Sequence, residues 1–240
     1  MIIHSRLFTE KGGRDRNEDS VVERQLGSGM LFVVADGLGG HKDGELASEC
    51  VTEHFLTAEF GDDDAPAEWL VRELTAANEK LLALQAEQHS NMKSTAAVLL
   101  ITDGKAYCAH VGDSRVYYFH DDRICGITAD HSVAYKKYKA GEITFEQIGS
   151  DEDQSSLLRT MGSAERCVPE VAAYDEPLSA GDGFMLCSDG FWKYLRGEEP
   201  LIDMLKSENA REWSELMLLR YMERAEPASD NLSLITVMIG

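Results

Sequence analysis

Four aspartates stand at the edges of apolar segments in this sequence: Asp36 after "LFVVA", Asp113 after "AHVG", Asp189 after "FMLCS", and Asp230 just before "NLSLITV". Each has Gly, Ser or Asn beside it. One such aspartate is explained by a turn or a cap. Four of them at strand ends point to convergence on one rim, where carboxylates repel unless something positive lies among them. Hard divalent cations such as Mg²⁺ or Mn²⁺ take oxygen donors and keep several waters, so a few aspartates and a backbone carbonyl suffice. Gly37, directly after Asp36, has no side chain to keep its carbonyl from such an ion.

The loop "DGLGGHKDG" competes as a phosphate cradle. It lacks the GxxxxGK-Ser/Thr of a Walker loop, and with Lys42 where the third glycine should fall it lacks the GxGxxG of a dinucleotide loop. Upstream, "GGRDRNEDS" holds Arg14, whose guanidinium offers paired donors to phosphate oxygens. The acidic tract "GDDDAP" lacks the alternating oxygen ligands of a calcium loop and reads as a helix start, with Asp64 near the N-cap and Pro66 in the first turn.

These groups need elements to position them. Residues 2–8, 20–25 and 30–35 read as strands. Two helices follow, one through Ala47, Val51 and Phe55, the other through Leu70, Leu74, Ala77, Leu81 and Leu84. Asp103-Gly104 and the Asp pair in "HDD" mark two hairpins. Strands resume at "EVAAYDE" and "FMLCS", helices at 201–206 and 212–223, and "NLSLITVMI" closes the chain as a strand. Strands in runs joined by tight turns, with helices grouped between them, predict mostly antiparallel sheets covered by helices rather than parallel βαβ units. The expected fold is α+β, a β-sandwich flanked by helices, in one domain over residues 1–240.

Composition narrows the function. With 43 acidic against 23 basic side chains the net charge is −20, which disfavours binding to nucleic acid or anionic membrane. The longest apolar runs are far below the roughly 20 residues of a membrane span, and the N-terminus has no secretory-signal pattern. Five cysteines, odd in number and without a CxxC pair, read as core residues in a reducing cytoplasm.

Taken in order, "GGRDRNEDS", "VVADGLGGHKDGELAS", "MKSTAAVLL", "HVGDSRVYYF", "LLRTMGS", "GDGFMLCSDGFWKYL" and "SDNLSLITV" resemble the motifs of the type 2C metal-dependent protein serine/threonine phosphatases, above all the bacterial stand-alone catalytic domains. The resemblance spans residues 6–239. It implies a four-layer α-β-β-α sandwich with a centre of two Mn²⁺ or Mg²⁺ ions that activates a water to hydrolyse phosphoserine or phosphothreonine on proteins. By the same resemblance Asp36 bridges both metals, the Gly37 carbonyl binds one, and Asp189 and Asp230 bind the other. Glu18 and Asp19 act near the second metal through waters, Asp113 matches a third, weaker metal position, and Arg14 matches the phosphate-binding arginine.

Two departures from the pattern matter. Leu38 stands where many relatives place a histidine thought to protonate the leaving group, so His41 becomes the candidate donor. The flap beside the cleft, about residues 131–162, carries "ITFEQIGSDEDQSS", more acidic than the usual Arg- and Asn-containing version. The expected partners are phosphoproteins opposite a serine/threonine kinase. A silent relative serving as a phosphoprotein-binding regulatory module, and a small-molecule phosphate-ester hydrolase, are the alternatives.

Overall fold

The structure, a computed structural model, describes residues 1–27, 29–39, 43–61, 63–174 and 176–240. Strands β1 (Ile3–Glu10), β2 (Asp19–Leu26) and β3 (Gly29–Leu38) open the chain, followed by helices α1 (Asp43–Thr57) and α2 (Pro66–Gln88). Then come β4 (Lys93–Ser94), β5 (Ala96–Thr102), β6 (Lys105–Val111), β7 (Arg115–His120) and β8 (Arg123–Ile127). The rest is α3 (Val133–Lys139), a short 3-10 helix (Phe145–Ser150), β9 (Glu170–Tyr174), β10 (Gly183–Cys187), the single turn α4 (Asp189–Trp192), α5 (Glu199–Lys206), α6 (Ala210–Arg224) and β11 (Leu232–Ile239).

The strands form two antiparallel sheets, ordered β1-β11-β10-β7-β8 and β2-β3-β5-β6-β9, with β4 paired to the end of β3. Side-chain alternation builds the layers. In β3 and β5, Leu31, Val33, Ala96, Val98 and Leu100 face α1 and α2, where they pack with Val51, Phe55, Trp69, Leu70 and Leu74. The residues between them, Phe32, Val34, Ala97, Leu99 and Ile101, meet Val116, Phe184, Leu186, Ile235 and Val237 of the other sheet. Met185, Cys187 and Leu234 face outward onto Trp213 and Met217 of α6. Strands buried on both faces explain why these segments read as unbroken apolar runs. The four layers are helix, sheet, sheet, helix.

Helix and turn chemistry follows the local sequence. Pro66 begins α2 as expected, but the N-cap is Ala65; the Asp64 carboxylate instead accepts from the Gly61 N–H at 2.9 Å and pairs with Arg72. The last helix starts two residues earlier than the apolar spacing implies, because the Asn209 side chain caps it by accepting from the Glu212 N–H. Of the cysteines, Cys108 and Cys187 are buried, Cys50 and Cys167 half-buried, and Cys125 is exposed, so the expectation of five core cysteines holds only in part. Among the described residues no helix is long and apolar enough to cross a membrane.

At the β5–β6 hairpin, Asp103 and Gly104 have φ of 50° and 70°. A Cβ on Gly104 would meet nothing within 4 Å, so substitution there probes backbone strain alone. Gly104→Ala should cost about 1 kcal/mol, lowering Tm by roughly 2–4 °C in calorimetry.

Candidate metal centre

Strand register brings the aspartates together. In the first sheet Arg115 of β7 pairs with Cys187 of β10. Asp113 lies two residues before the one and Asp189 two residues after the other, so in this antiparallel pair they leave the sheet at the same end. Cys187 also pairs with Leu234 of β11, which puts Asp230, just ahead of that strand, at the same rim. In the second sheet Asp19 of β2 is the direct cross-strand partner of Asp36 of β3, so both side chains lie on one face. The two rims are tied by hydroxyls. The Asp36 N–H donates to Thr95 Oγ1, which lies 2.6 Å from Ser114 Oγ of the opposite sheet, and Ser188 Oγ donates to Asp19 Oδ2 at 2.7 Å.

A cleft of about 560 Å³ opens at this rim, lined by Arg14, Glu18, Asp36, Gly37, Asp113, Asp189 and Asp230 among others. Asp19 is not in the lining. It is 7 % exposed and lies behind Asp36, and its Oδ1 has no hydrogen-bond partner among the described residues. Burial, with added repulsion from Asp189 and Asp230, pushes its carboxyl up to about 7 against the hydrogen bonds from Ser188 and Ser233. Asp36 is half-buried and lines the cleft. Burial, then the charges of Asp19, Asp189, Asp113 and Asp230, hold it well above the ordinary carboxylate range. Asp113, 4 % exposed, is raised by burial and then by Asp189.

Close backbone approach completes the donor set. The Gly37 N–H donates to the Glu18 carbonyl at 3.0 Å. A Cβ on Gly37 would strike the Gly44 carbonyl, and one on Gly44 would strike the Glu18 carboxylate while standing 3.0 Å from the Gly37 carbonyl oxygen. The Glu18 carboxylate and the Gly37 carbonyl therefore face one small space. The turn bearing Asp113 is held by Gly112, at φ 104°, whose N–H donates to His131 Nδ1. His131 must be neutral at that nitrogen, and burial, followed by the stacked His110, holds it down to about 4.

Among the described residues no three His, Cys, Asp or Glu side chains already close into a ligand cage. Their oxygens are drawn to other partners: Asp230 Oδ2 to Arg14 at 2.9 Å, and Asp189 and Asp113 to the amide of Gln154. The chemistry of the set nonetheless fits hard divalent cations. It consists of oxygen donors alone; Asp19, Asp36 and Asp113 are charged at a burial cost that a positive ion offsets, and Asp19 Oδ1 has no partner among the described residues.

The structure thus brings Arg14, Glu18, Asp36, Gly37, Asp113, Asp189 and Asp230 to one cleft and sets Asp19 behind it. His41 lies outside the described residues. The sequence reading missed two residues. Asn231 accepts from the Glu18 N–H and donates to the carbonyls of Lys11 and Arg16, pinning the Arg14 loop to β11. Gln154 reaches the aspartates from the 131–162 segment. Asn231 had a signal in its place next to Asp230; Gln154 had none.

Comparison with known proteins fits this geometry. A family model described as Protein phosphatase 2C matches residues 12–218. A serine/threonine phosphatase stp from Listeria welshimeri is 30% identical over 223 residues, 87% of this chain and 85% of that protein. The crystal structure of serine/threonine phosphatase Stp1 from Staphylococcus aureus superposes with a TM-score of 0.86 at 27% identity, covering 100% of this chain and 96% of that one. The catalytic domain of serine threonine protein phosphatase PstP, in complex with two manganese ions, gives 0.80 at 26% identity, covering 98% and 97%. These likenesses define a phosphoprotein phosphatase of the metal-dependent class. The chain belongs to the protein phosphatase 2C family.

Proposed function

We propose that this protein hydrolyses phosphoserine and phosphothreonine on proteins at a centre of two Mn²⁺ or Mg²⁺ ions, with a third, weaker ion at Asp113. Asp36 would bridge the two ions, the Gly37 carbonyl would bind one, and Asp189 and Asp230 the other, with Glu18 and Asp19 acting through water. When bound, such ions activate a water nucleophile and offset phosphoryl charge. The observation that carries the reading is the gathering of Asp19, Asp36, Asp113, Asp189 and Asp230 from both sheets at one end of the sandwich, where burial penalises the charge of Asp19, Asp36 and Asp113.

The chain's own groups supply the rest. The Arg14 side chain is 59 % exposed and, among the described residues, pairs with Asp230 alone, so its fork can turn to phosphoryl oxygens at the cleft mouth. Leu38, Leu157 and Ser155 also line the cleft. His41 is proposed to hold the proton for the leaving alkoxide, because Leu38 cannot. We read residues 1–240 as one catalytic domain, with residues 131–162 as a flap. We place it in the cytoplasm opposite a serine/threonine kinase; five unpaired cysteines fit a reducing compartment.

The test is Mn²⁺-dependent release of phosphate from a phosphothreonine peptide. Absence of turnover at every Mn²⁺ concentration favours a silent binding module, and fast turnover of a metabolite with slow turnover of peptides favours a small-molecule hydrolase. In the active protein Arg14→Ala should lower kcat/KM by about ten- to a hundredfold, the worth of hydrogen bonds to a charged group. Arg14→Lys should restore only part of it, since a point charge lacks the fork; full restoration contradicts the clamp.

A further inference from the structure

Gln154 is 9 % exposed and belongs to the 131–162 segment, yet its side-chain nitrogen lies 2.9 Å from Asp189 Oδ2 and 3.3 Å from Asp113 Oδ2. Its orientation is determined by its neighbours. Carboxylates accept, so the amide nitrogen faces them, and the Ser155 hydroxyl donates to Gln154 Oε1 at 3.0 Å from the other side. The two hydrogens of one NH₂ thus span two carboxylates that repel each other. The contact also fastens the segment. Within the segment the Gln154 N–H donates to the Asp151 carbonyl, the Ser156 carbonyl accepts from the Val133 N–H, and the Leu158 N–H donates to the His131 carbonyl, so residues 151–158 are tied to the start of the segment while the Gln154 side chain reaches the two aspartates.

We propose that Gln154 is a positioning residue, a neutral latch that competes with a divalent cation for the same oxygens of Asp113 and Asp189, so that filling the weak Asp113 position releases the flap. This rests on the assignment of Asp113 and Asp189 as cation ligands. An amide donates hydrogen bonds without bringing charge, so it holds two carboxylates more weakly than an ion does but needs none in solution. The weak site is weak because binding there must first break the latch. Flap position and cation occupancy at Asp113 are then two readings of one equilibrium.

The experiment pairs Mn²⁺ titration by calorimetry or electron paramagnetic resonance with hydrogen exchange of residues 151–158, using the full chain after chelation. In the parent, two tight events should precede a weak one, and the weak one should speed exchange of those amides beyond any change that the tight events bring. Gln154→Met keeps the length but not the donor; it should tighten the weak event about tenfold and leave exchange fast throughout. Gln154→Lys places a fixed charge between the aspartates and should abolish the weak event while exchange stays slow. The opposite directions separate the latch from damage to the fold.

Equal weak affinity in all three proteins overturns the proposal. So does exchange at 151–158 that ignores the weak event, or a weak event absent from both the parent and Gln154→Met. A parent that binds no Mn²⁺ tightly overturns the metal-centre reading and this proposal with it, whereas two tight events with a weak one indifferent to residue 154 overturn the latch alone.

Discussion

Asp36→Asn should yield a protein without Mn²⁺-dependent phosphatase activity that nevertheless melts higher than the parent when both are stripped of divalent cation. The two effects share one cause. Asp36 is half-buried where it lines the cleft, and burial and then four other aspartates raise its carboxyl. In the proposed centre that concentrated charge would hold the ions, and losing several kcal/mol of charge stabilisation should lower kcat/KM on the order of a thousandfold or more. Without ions the same charge is a burden, and a neutral isostere removes it. A relief of about 1–2 kcal/mol would raise Tm by roughly 2–8 °C for a chain of this size.

The pH dependence carries the sign. Asp19 titrates near 7 in the folded protein against an ordinary value of 3.8, and Asp36 and Asp113 shift the same way. Below about pH 4 these groups are protonated both folded and unfolded and impose no penalty. As pH rises through the window from about 4 to 7, the unfolded chain releases protons that the folded one retains, and stability falls. Mn²⁺ should restore it, because an ion that binds only the folded state stabilises by mass action. Calorimetry in chelator from pH 4 to 8 should show the parent's Tm falling more steeply than that of Asp36→Asn. A variant that melts lower than the parent at pH 8, or parallel profiles, would sink the account.

Legibility from sequence followed the range of the interaction. The strands around Val33, Val98 and Leu186 were legible because burial on both faces leaves a local record, an unbroken apolar run. Both hairpins were legible because residues at φ near 50°, Asp103 and the pair Asp121 and Asp122, are the types that tolerate it. The two-residue β4 and the single turn α4 left no period to detect. At the site, the acids declared themselves by standing at strand ends, but depth did not. Asp36 lines the cleft while its cross-strand partner Asp19 lies behind it, a difference set by how two distant sheets meet. Gln154 reaches Asp113 and Asp189 only because the 131–162 segment folds back over the rim, and nothing in "DEDQSS" marks that residue.

The second large effect is expected below the cleft floor, at Arg115. Its guanidinium forks onto both oxygens of Asp130 at 2.7 Å each, with the two side chains 4% and 1% exposed, and lies 3.5 Å from the centre of the Trp192 ring. Burial alone would push the Arg115 pKa down; the Asp130 charge overrides it and binds the proton more tightly. Arg115→Met keeps the volume on Trp192 but strands a buried carboxylate, at a cost of about 3–5 kcal/mol or roughly 6–20 °C in Tm. Removing both charges, as in Arg115→Met with Asp130→Leu, should recover at least half of that loss, since a buried pair replaced by apolar groups is close to neutral. Additive losses in that cycle would show that the two residues do not act as a pair. The cleft responds differently. Trp192 Nε1–H donates to the Asp113 carbonyl at 2.8 Å, and the guanidinium above the ring steadies that indole. Weak Mn²⁺ binding at Asp113 should therefore fall in the single variant and stay low in the double one, so that stability returns while the ion site does not.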